Sequence, residues 1–111
     1  MKTLFLALGL FLSTILSAQS VKTITLSVAG NCGECKERIE NAADIKGVKI
    51  CTWDSKTKVA KITYDPSKTT PEAIELAIAA AGHDTAGKKA TADAYKKLPN
   101  CCRYRDGKCE K

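Results

Sequence analysis

Apolar residues recur along the chain with two different periods. Residues 21–29 alternate apolar and polar side chains and are rich in β-branched residues, which is typical of a strand. Residues 35–43 carry apolar side chains three to four positions apart, as an amphipathic helix does. Shorter apolar segments at 48–53 and 58–64 flank a polar turn at 54–57, so they are predicted to form a hairpin.

The second helix is predicted from its two ends as well as from its apolar positions. Thr70 has the side chain of a helix N-cap, and Pro71 suits the first helical position. Gly82 supplies a C-terminal stop. The apolar stripe of this helix is predicted to consist of Ile74, Ile78 and Ala81, with Ala77.

The pattern weakens after this helix. Residues 83–87 are predicted to form either a short edge strand or a loop, and residues 92–98 one or two helical turns that Thr91 caps and Pro99 ends. The order of elements favours two split βαβ units with both helices on one face of an antiparallel sheet. We therefore predict an α+β fold, a ferredoxin-like βαββαβ sandwich, followed by a short C-terminal helix and a cysteine-bearing tail.

The first twenty residues have the composition of a secretory signal peptide. Lys2 precedes an apolar run that begins at Leu4, and small residues follow at Ala18 and Ser20. We expect export, to the periplasm. The predicted organisation is a signal peptide at 1–20, a folded domain at 21–87 and a C-terminal extension at 88–111.

The charge of the chain is mildly basic and evenly spread. The full chain carries a net charge of +6, of which one unit belongs to Lys2. Because the lysines are scattered, nucleic acid is not an expected partner. No second apolar stretch approaches membrane length, so we expect no stable membrane insertion after the signal peptide is removed. We expect a monomer.

Chemistry concentrates at the CxxC motif formed by Cys32 and Cys35. A three-residue step in a turn that enters a helix lets both sulfurs converge, and a helix N-terminus favours thiolate over thiol. Two converging thiolates suit a soft ion such as Cu(I) or Hg(II), whereas a tetrahedral zinc site needs two more ligands. Glu34 is expected only to complement the helix dipole.

A family resemblance extends from Val21 to Asp84. It is carried by the segments VAGNCGECKERIE, GVKICTWDSKTKVAKITYD and PEAIELAIAAAGHD. These resemble the heavy-metal-associated domain of copper chaperones, of the amino-terminal domains of metal-transporting P-type ATPases and of periplasmic mercury-binding proteins. The resemblance implies a βαββαβ fold and metal capture by Cys32 and Cys35. Family members usually carry Gly-Met-Thr before the first cysteine, where this chain has Ala29, Gly30 and Asn31.

The open coordination of a CxxC site predicts a carrier, not an enzyme. A metal ion held by two sulfurs can be attacked by a thiolate of another protein and can move on through a three-coordinate intermediate. We therefore expect an exported protein that captures Cu(I) or Hg(II). Its expected partner is a metal-transporting membrane protein or another CxxC metal carrier.

Cys51 and His83 are expected to have simple structural roles, and His83 also has a functional alternative. Cys51, in the second strand, is expected to be a small buried core residue. His83 follows a helix stop and is expected to lie at the surface. Its alternative role is that of a third metal ligand or of a hydrogen-bond donor beside the metal.

The last three cysteines lie beyond the family resemblance. One interpretation joins Cys109 to Cys101 or Cys102 in a disulfide. A second folds the tail over the metal loop, so that Cys101 or Cys102 adds a third sulfur, and a third gives the tail a metal site of its own. Together with His83 from the loop after the second helix, Cys101 and Cys102 are the additional candidate ligands beside the CxxC motif.

Two other classes of protein also carry an exported CxxC motif or many cysteines. A thioredoxin-like thiol-disulfide oxidoreductase sets a proline before a strand opposite its CxxC, whereas here Pro71 leads into a helix. Pro66 lies in a turn and Pro99 in the tail. A disulfide-stapled binding module would pair its cysteines completely, so a count of thiols would identify it.

Overall fold

The computed structural model describes residues 20–31 and 33–106 of the 111-residue chain. The predicted signal peptide as far as residue 19, together with Cys32 and Cys109, lies outside the described residues. The elements in chain order are β1 (Lys22–Ser27), α1 (Gly33–Ala42), β2 (Val48–Asp54), β3 (Val59–Tyr64), α2 (Pro71–Ala80), α3 (Ala92–Lys96) and two 3-10 turns (Asn100–Cys102 and Tyr104–Asp106).

The three strands form one antiparallel sheet in the order β1-β3-β2. The hairpin pairs β2 with β3, as predicted. The register shifts by one residue between Val48 and Ile50, so that Lys49 is the extra residue of a bulge. After this bulge Ile50 points to solvent, while Cys51 and Trp53 point towards the helices.

Residues 83–87, for which either an edge strand or a loop is predicted, pair with β1 at one isolated bridge. The bridge joins Val28 to Thr85, and backbone hydrogen bonds of 2.8 and 3.1 Å flank it. The segment is too polar to extend this pairing into a longer strand. It nevertheless occupies the place of the last strand in the βαββαβ order, and the predicted ferredoxin-like α+β fold is confirmed.

A single cluster of buried side chains fills the space between the sheet and the helices. Alternate residues of β3 face the cluster, as the two-residue period of a strand requires. The cluster combines Ala60, Ile62 and Tyr64 of β3 with Ile39 of α1 and with Ile74 and Ile78 of α2. Because both helices contribute to the same cluster, they lie on the same face of the sheet.

The ends of α2 follow the prediction closely. The Thr70 hydroxyl accepts a hydrogen bond from the Ala73 N–H at 3.2 Å, and Pro71 is the first helical residue. The buried residues of the helix are Ile74 and Ile78, as predicted, and Ala79. Ala77 and Ala81, which the predicted stripe includes, are only half-buried.

In the part of the chain that the structure describes, no helix has the length and apolar content needed to cross a membrane.

The C-terminal extension packs onto the same core as the rest of the domain. Thr91 caps α3 as predicted, since its hydroxyl accepts a hydrogen bond from the Ala94 N–H at 3.1 Å. Tyr95, Leu98 and Cys102 are buried members of the central cluster. The extension is therefore part of the folded unit, and it brings a cysteine into the core.

Candidate metal centre

The first turn of α1 contains the second cysteine of the CxxC motif. Gly33 is the first helical residue, and the Cys35 side chain is fully buried. The Trp53 indole N–H donates to the Val28 carbonyl at 3.0 Å, which places the ring beside the loop that precedes α1. A Cβ atom added at Gly30 would lie 3.0 Å from the Trp53 ring and 3.1 Å from the Cys35 Cβ. The loop before α1 is therefore packed tightly against Trp53 and Cys35.

Two sulfurs of the C-terminal extension lie next to this turn. Cys102 is fully buried; its thiol is hydrogen-bonded to that of Cys35, and its Sγ lies 4.0 Å from the Cys101 Sγ. The Cys101 thiol donates to the Glu34 carboxylate at 2.6 Å. The ligand atoms of Glu34, Cys101 and Cys102 lie within 4.8 Å of one another, which is close enough for all three to contact one metal ion.

Burial and neighbouring sulfur atoms both act on the Cys102 thiol. Burial raises its pKa, and the adjacent thiols of Cys35 and Cys101 raise it further. The metal-free chain therefore keeps this thiol protonated at neutral pH. A bound metal ion would replace the proton, since the thiolate is the form that binds metal.

Two side chains, those of Tyr104 and Arg105, attach the end of the extension to the segment that follows α2. The Tyr104 hydroxyl donates to the Gly82 carbonyl and accepts from the Asp84 N–H, both at 2.8 Å. Arg105 donates to the Asp84 carboxylate at 2.7 and 3.1 Å, and its guanidinium lies 4.6 Å from the centre of the Tyr95 ring. Burial acts to raise the pKa of Asp84, but hydrogen bonds from Arg105 and from a backbone N–H outweigh it, so the pKa is lowered. A charged Asp84 thus anchors the extension.

His83 is completely buried, so the expectation of a surface histidine is wrong. Its Nδ1 lies 2.8 Å from the Ala29 carbonyl, and because a carbonyl only accepts, Nδ1 carries the proton. The ring stacks on Tyr104, with 5.7 Å between the ring centres. Burial lowers the pKa of His83; the bond to Ala29 opposes this effect, and the nearby charge of Arg38 adds to it. The imidazole is therefore neutral at pH 7.

Within residues 20–31 and 33–106, His83 is not part of the group of close ligand atoms formed by Glu34, Cys101 and Cys102. Its Nε2 atom is buried and has no hydrogen-bond partner within the described ranges. A ligand role for His83 stays a prediction.

Cys51 lies on β2 and packs against the core, although it is half-buried rather than fully buried. Burial raises its pKa to about 11, and the negative charge of Glu40 acts in the same direction. Cys51 is not one of the residues that surround Cys102. Cys51 therefore serves as a comparison for Cys35, Cys101 and Cys102.

Glu34 has a contact that the sequence pattern does not predict. Beyond complementing the helix dipole, its carboxylate accepts a hydrogen bond from Cys101, which is 67 positions away. The Asn31 side-chain amide also reaches the Cys101 carbonyl, at a long 3.5 Å. Only the placement of the extension brings these groups together, so no local pattern could have indicated them.

Comparison with known proteins identifies the family of the domain that carries the CxxC motif. The model of the heavy-metal-associated domain matches residues 25–84. A mercuric transport protein periplasmic component of Shewanella putrefaciens is 38% identical over 92 residues, which cover 80% of this chain and 100% of that protein.

Two solved structures resemble the same part of the chain. The structure of oxidized MerP from Ralstonia metallidurans CH34 has a TM-score of 0.57 at 30% identity and covers 60% of this chain and 96% of its own. The CopZ metallochaperone has a TM-score of 0.56 at 30% identity and covers 58% of this chain and 98% of its own. Sequence and structure therefore agree that this chain belongs to the heavy-metal-associated domain family.

Proposed function

We propose that this protein is an exported carrier that captures Cu(I) or Hg(II) with the thiolates of Cys32 and Cys35. The observation that carries the proposal is the position of Cys35 in the first turn of α1, inside the segment that the family model matches. A pair of sulfurs that converges at a helix start offers a soft ion two strong ligands and leaves one side open.

The names of similar proteins support the same kind of cargo. The Shewanella protein is named for mercuric transport and for the periplasm, and CopZ is named a metallochaperone. Thiolate ligands suit Hg(II), which the first name specifies, and they also suit another soft ion, Cu(I). We therefore assign this chain to metal binding and transfer in the periplasm rather than to catalysis.

The residues around the motif contribute to capture in distinct ways. The start of α1 carries the positive end of the helix dipole, which favours negative charge at the motif. Tight packing of Trp53 against Gly30 and Cys35 limits the movement of the loop. The packing around Cys35 is therefore already in place before binding, which lowers the cost of ordering this ligand.

Transfer would proceed by exchange of thiolate ligands. A thiolate of the partner attacks the bound ion, a three-coordinate intermediate forms, and one sulfur of this chain then leaves. The ion is never released into water during these steps. The proposed partner is a metal-transporting membrane protein or another carrier with a CxxC motif.

An anaerobic titration of the reduced protein with Cu(I) and with Hg(II) tests the capture step. The protein is purified after export, and its mass reports whether the first 20 residues are absent. We expect one tight site for each metal and a large loss of affinity in Cys32→Ser and in Cys35→Ser, because either substitution removes one of the two thiolates of the motif.

Cys51→Ser is the matched control, since it removes a cysteine of the same domain that lies apart from the motif. It should bind both metals as the unmodified protein does. Full affinity in the Cys32→Ser variant would reject the proposed site.

A further inference from the structure

The C-terminal extension carries a pair of cysteines that the capture step does not use. We propose that Cys101 and Cys102 are additional thiolate ligands of the metal ion bound at Cys35, so that the ion has more than the two sulfurs of the CxxC motif. This inference rests on the proposed function, because it takes the ion at Cys35 as its starting point. It assigns the extension a role in holding the ion.

The spacing of the Cys101 and Cys102 sulfurs fits two ligands of one metal ion. Thiolates at about 2.3 Å from one ion are about 4 Å apart in a trigonal arrangement and about 4.6 Å apart in a linear one. The Sγ atoms of Cys101 and Cys102 are 4.0 Å apart, and the Cys102 thiol also contacts that of Cys35. Cys102 therefore contacts both Cys35 of the motif and Cys101.

The position of Cys102 is part of the fold rather than a chance approach of a tail. Cys102 is fully buried in the same cluster as Leu98 and Tyr95. Its 3-10 turn lies between these core residues and Arg105, which is bonded to Asp84. Moving the sulfur away from Cys35 would expose this part of the core to water.

Cys101 is oriented by a separate set of contacts. Its thiol is bonded to Glu34 in the first turn of α1, and its carbonyl accepts from Asn31 in the loop before α1. Asn31 immediately precedes the CxxC motif, and Glu34 lies within it. The Cys101 sulfur is therefore held next to the motif, with the Glu34 carboxylate beside it.

Additional thiolates change how firmly the ion is held. A two-sulfur site leaves the ion open to an attacking thiol, whereas sulfurs of the same chain occupy that side at a high effective concentration. Soft ions such as Hg(II) and Cu(I) accept the extra sulfur. The extension is thus expected to favour retention of the ion against small competing thiols.

X-ray absorption spectroscopy of the reduced protein with one equivalent of Hg(II) counts the sulfurs on the ion. We expect more than two in the unmodified protein and in Cys51→Ser, and two in the double variant Cys101→Ser/Cys102→Ser. Two sulfurs in the unmodified protein would overturn the inference. This outcome would leave the proposed function intact if binding still required Cys35.

Competition with a small dithiol provides the second measurement. The double variant should retain the ion about 10- to 100-fold less well than the unmodified protein, which is the loss common when groups around a metal site are removed. Equal retention would contradict the inference. Cys102→Ala repeats the test without a buried hydroxyl, and circular dichroism of each metal-free variant verifies that it is folded.

The two proposals fail in different ways. If Cys35→Ser binds Hg(II) fully while the double variant does not bind it, the extension alone holds the ion, and both the capture proposal and this inference are rejected. If Cys35→Ser abolishes binding and the double variant lowers both the sulfur count and the retention, both are supported.

Discussion

At the scale of single residues, Gly30 shows why the loop of this chain departs from the usual family sequence. Family members commonly have methionine at this place, but here the neighbouring space is filled by Trp53, whose ring would lie 3.0 Å from a Cβ at position 30. The ring is buried and hydrogen-bonded to Val28, so it has little freedom to move aside. Glycine therefore fits beside this tryptophan without displacing the ring, whereas any larger residue would have to shift it.

Gly30→Ala is expected to lower the free energy of unfolding by about 1–3 kcal/mol, because the added methyl group overpacks a filled site. Urea denaturation measures the loss. In a Trp53→Phe background the same substitution should cost less, because the smaller ring leaves space. An equal cost in both backgrounds would mean that Trp53 is not the obstacle.

At the scale of elements, the end of α2 determines how the extension reaches the core. Gly82 has a φ of +104°, a backbone conformation that other residues rarely adopt. A Cβ at this position would also lie 2.9 Å from the Ala94 carbonyl and from the Leu98 side chain. The helix stop predicted from sequence thus also provides the close approach between α2 and α3.

Gly82→Ala is expected to destabilise the protein by about 1–3 kcal/mol, through backbone strain and through the contact with Ala94. Thermal unfolding followed by circular dichroism measures this. Gly33→Ala is the matched control, because nothing lies within 4 Å of its added Cβ and the residue is helical. That variant should be unchanged or up to about 1 kcal/mol more stable. Equal effects of the two substitutions would mean that the positive φ and the close contact at Gly82 do not affect stability.

At the scale of the whole molecule, the extension completes the core of the domain. The family model ends at residue 84, yet Tyr95, Leu98 and Cys102 belong to the central buried cluster. Small domains bury a limited apolar area, so a few added core residues matter for stability. The extension therefore stabilises the fold and delivers the extra cysteines in the same step.

Leu98→Ala is expected to lower the free energy of unfolding by about 2–5 kcal/mol, because it leaves a cavity in the core. Leu76→Ala is the control on α2 and should change stability by no more than about 0.5 kcal/mol. Leu98 is 3% exposed and Leu76 is 61% exposed. Similar losses in the two variants would show that the extension does not contribute to the core.

The sequence by itself was sufficient for features that depend on neighbouring residues. The period of β1, the hairpin of β2 and β3 and the caps at Thr70 and Thr91 follow from local pattern, and all are present in the structure. The position of the CxxC motif at the start of α1 is likewise local, and Cys35 lies in the first turn as predicted. Such features form wherever the chain folds, because their hydrogen bonds and periodicity need no distant partner.

Only the tertiary structure decided what depends on distant partners. His83 is buried because Tyr104 stacks on it, and Glu34 meets Cys101 because the extension packs onto the core. The sequence left three interpretations of the tail cysteines open, and the fold brings Cys102 into contact with Cys35. Burial and contact between remote residues arise from packing of the whole chain, which local periodicity does not encode.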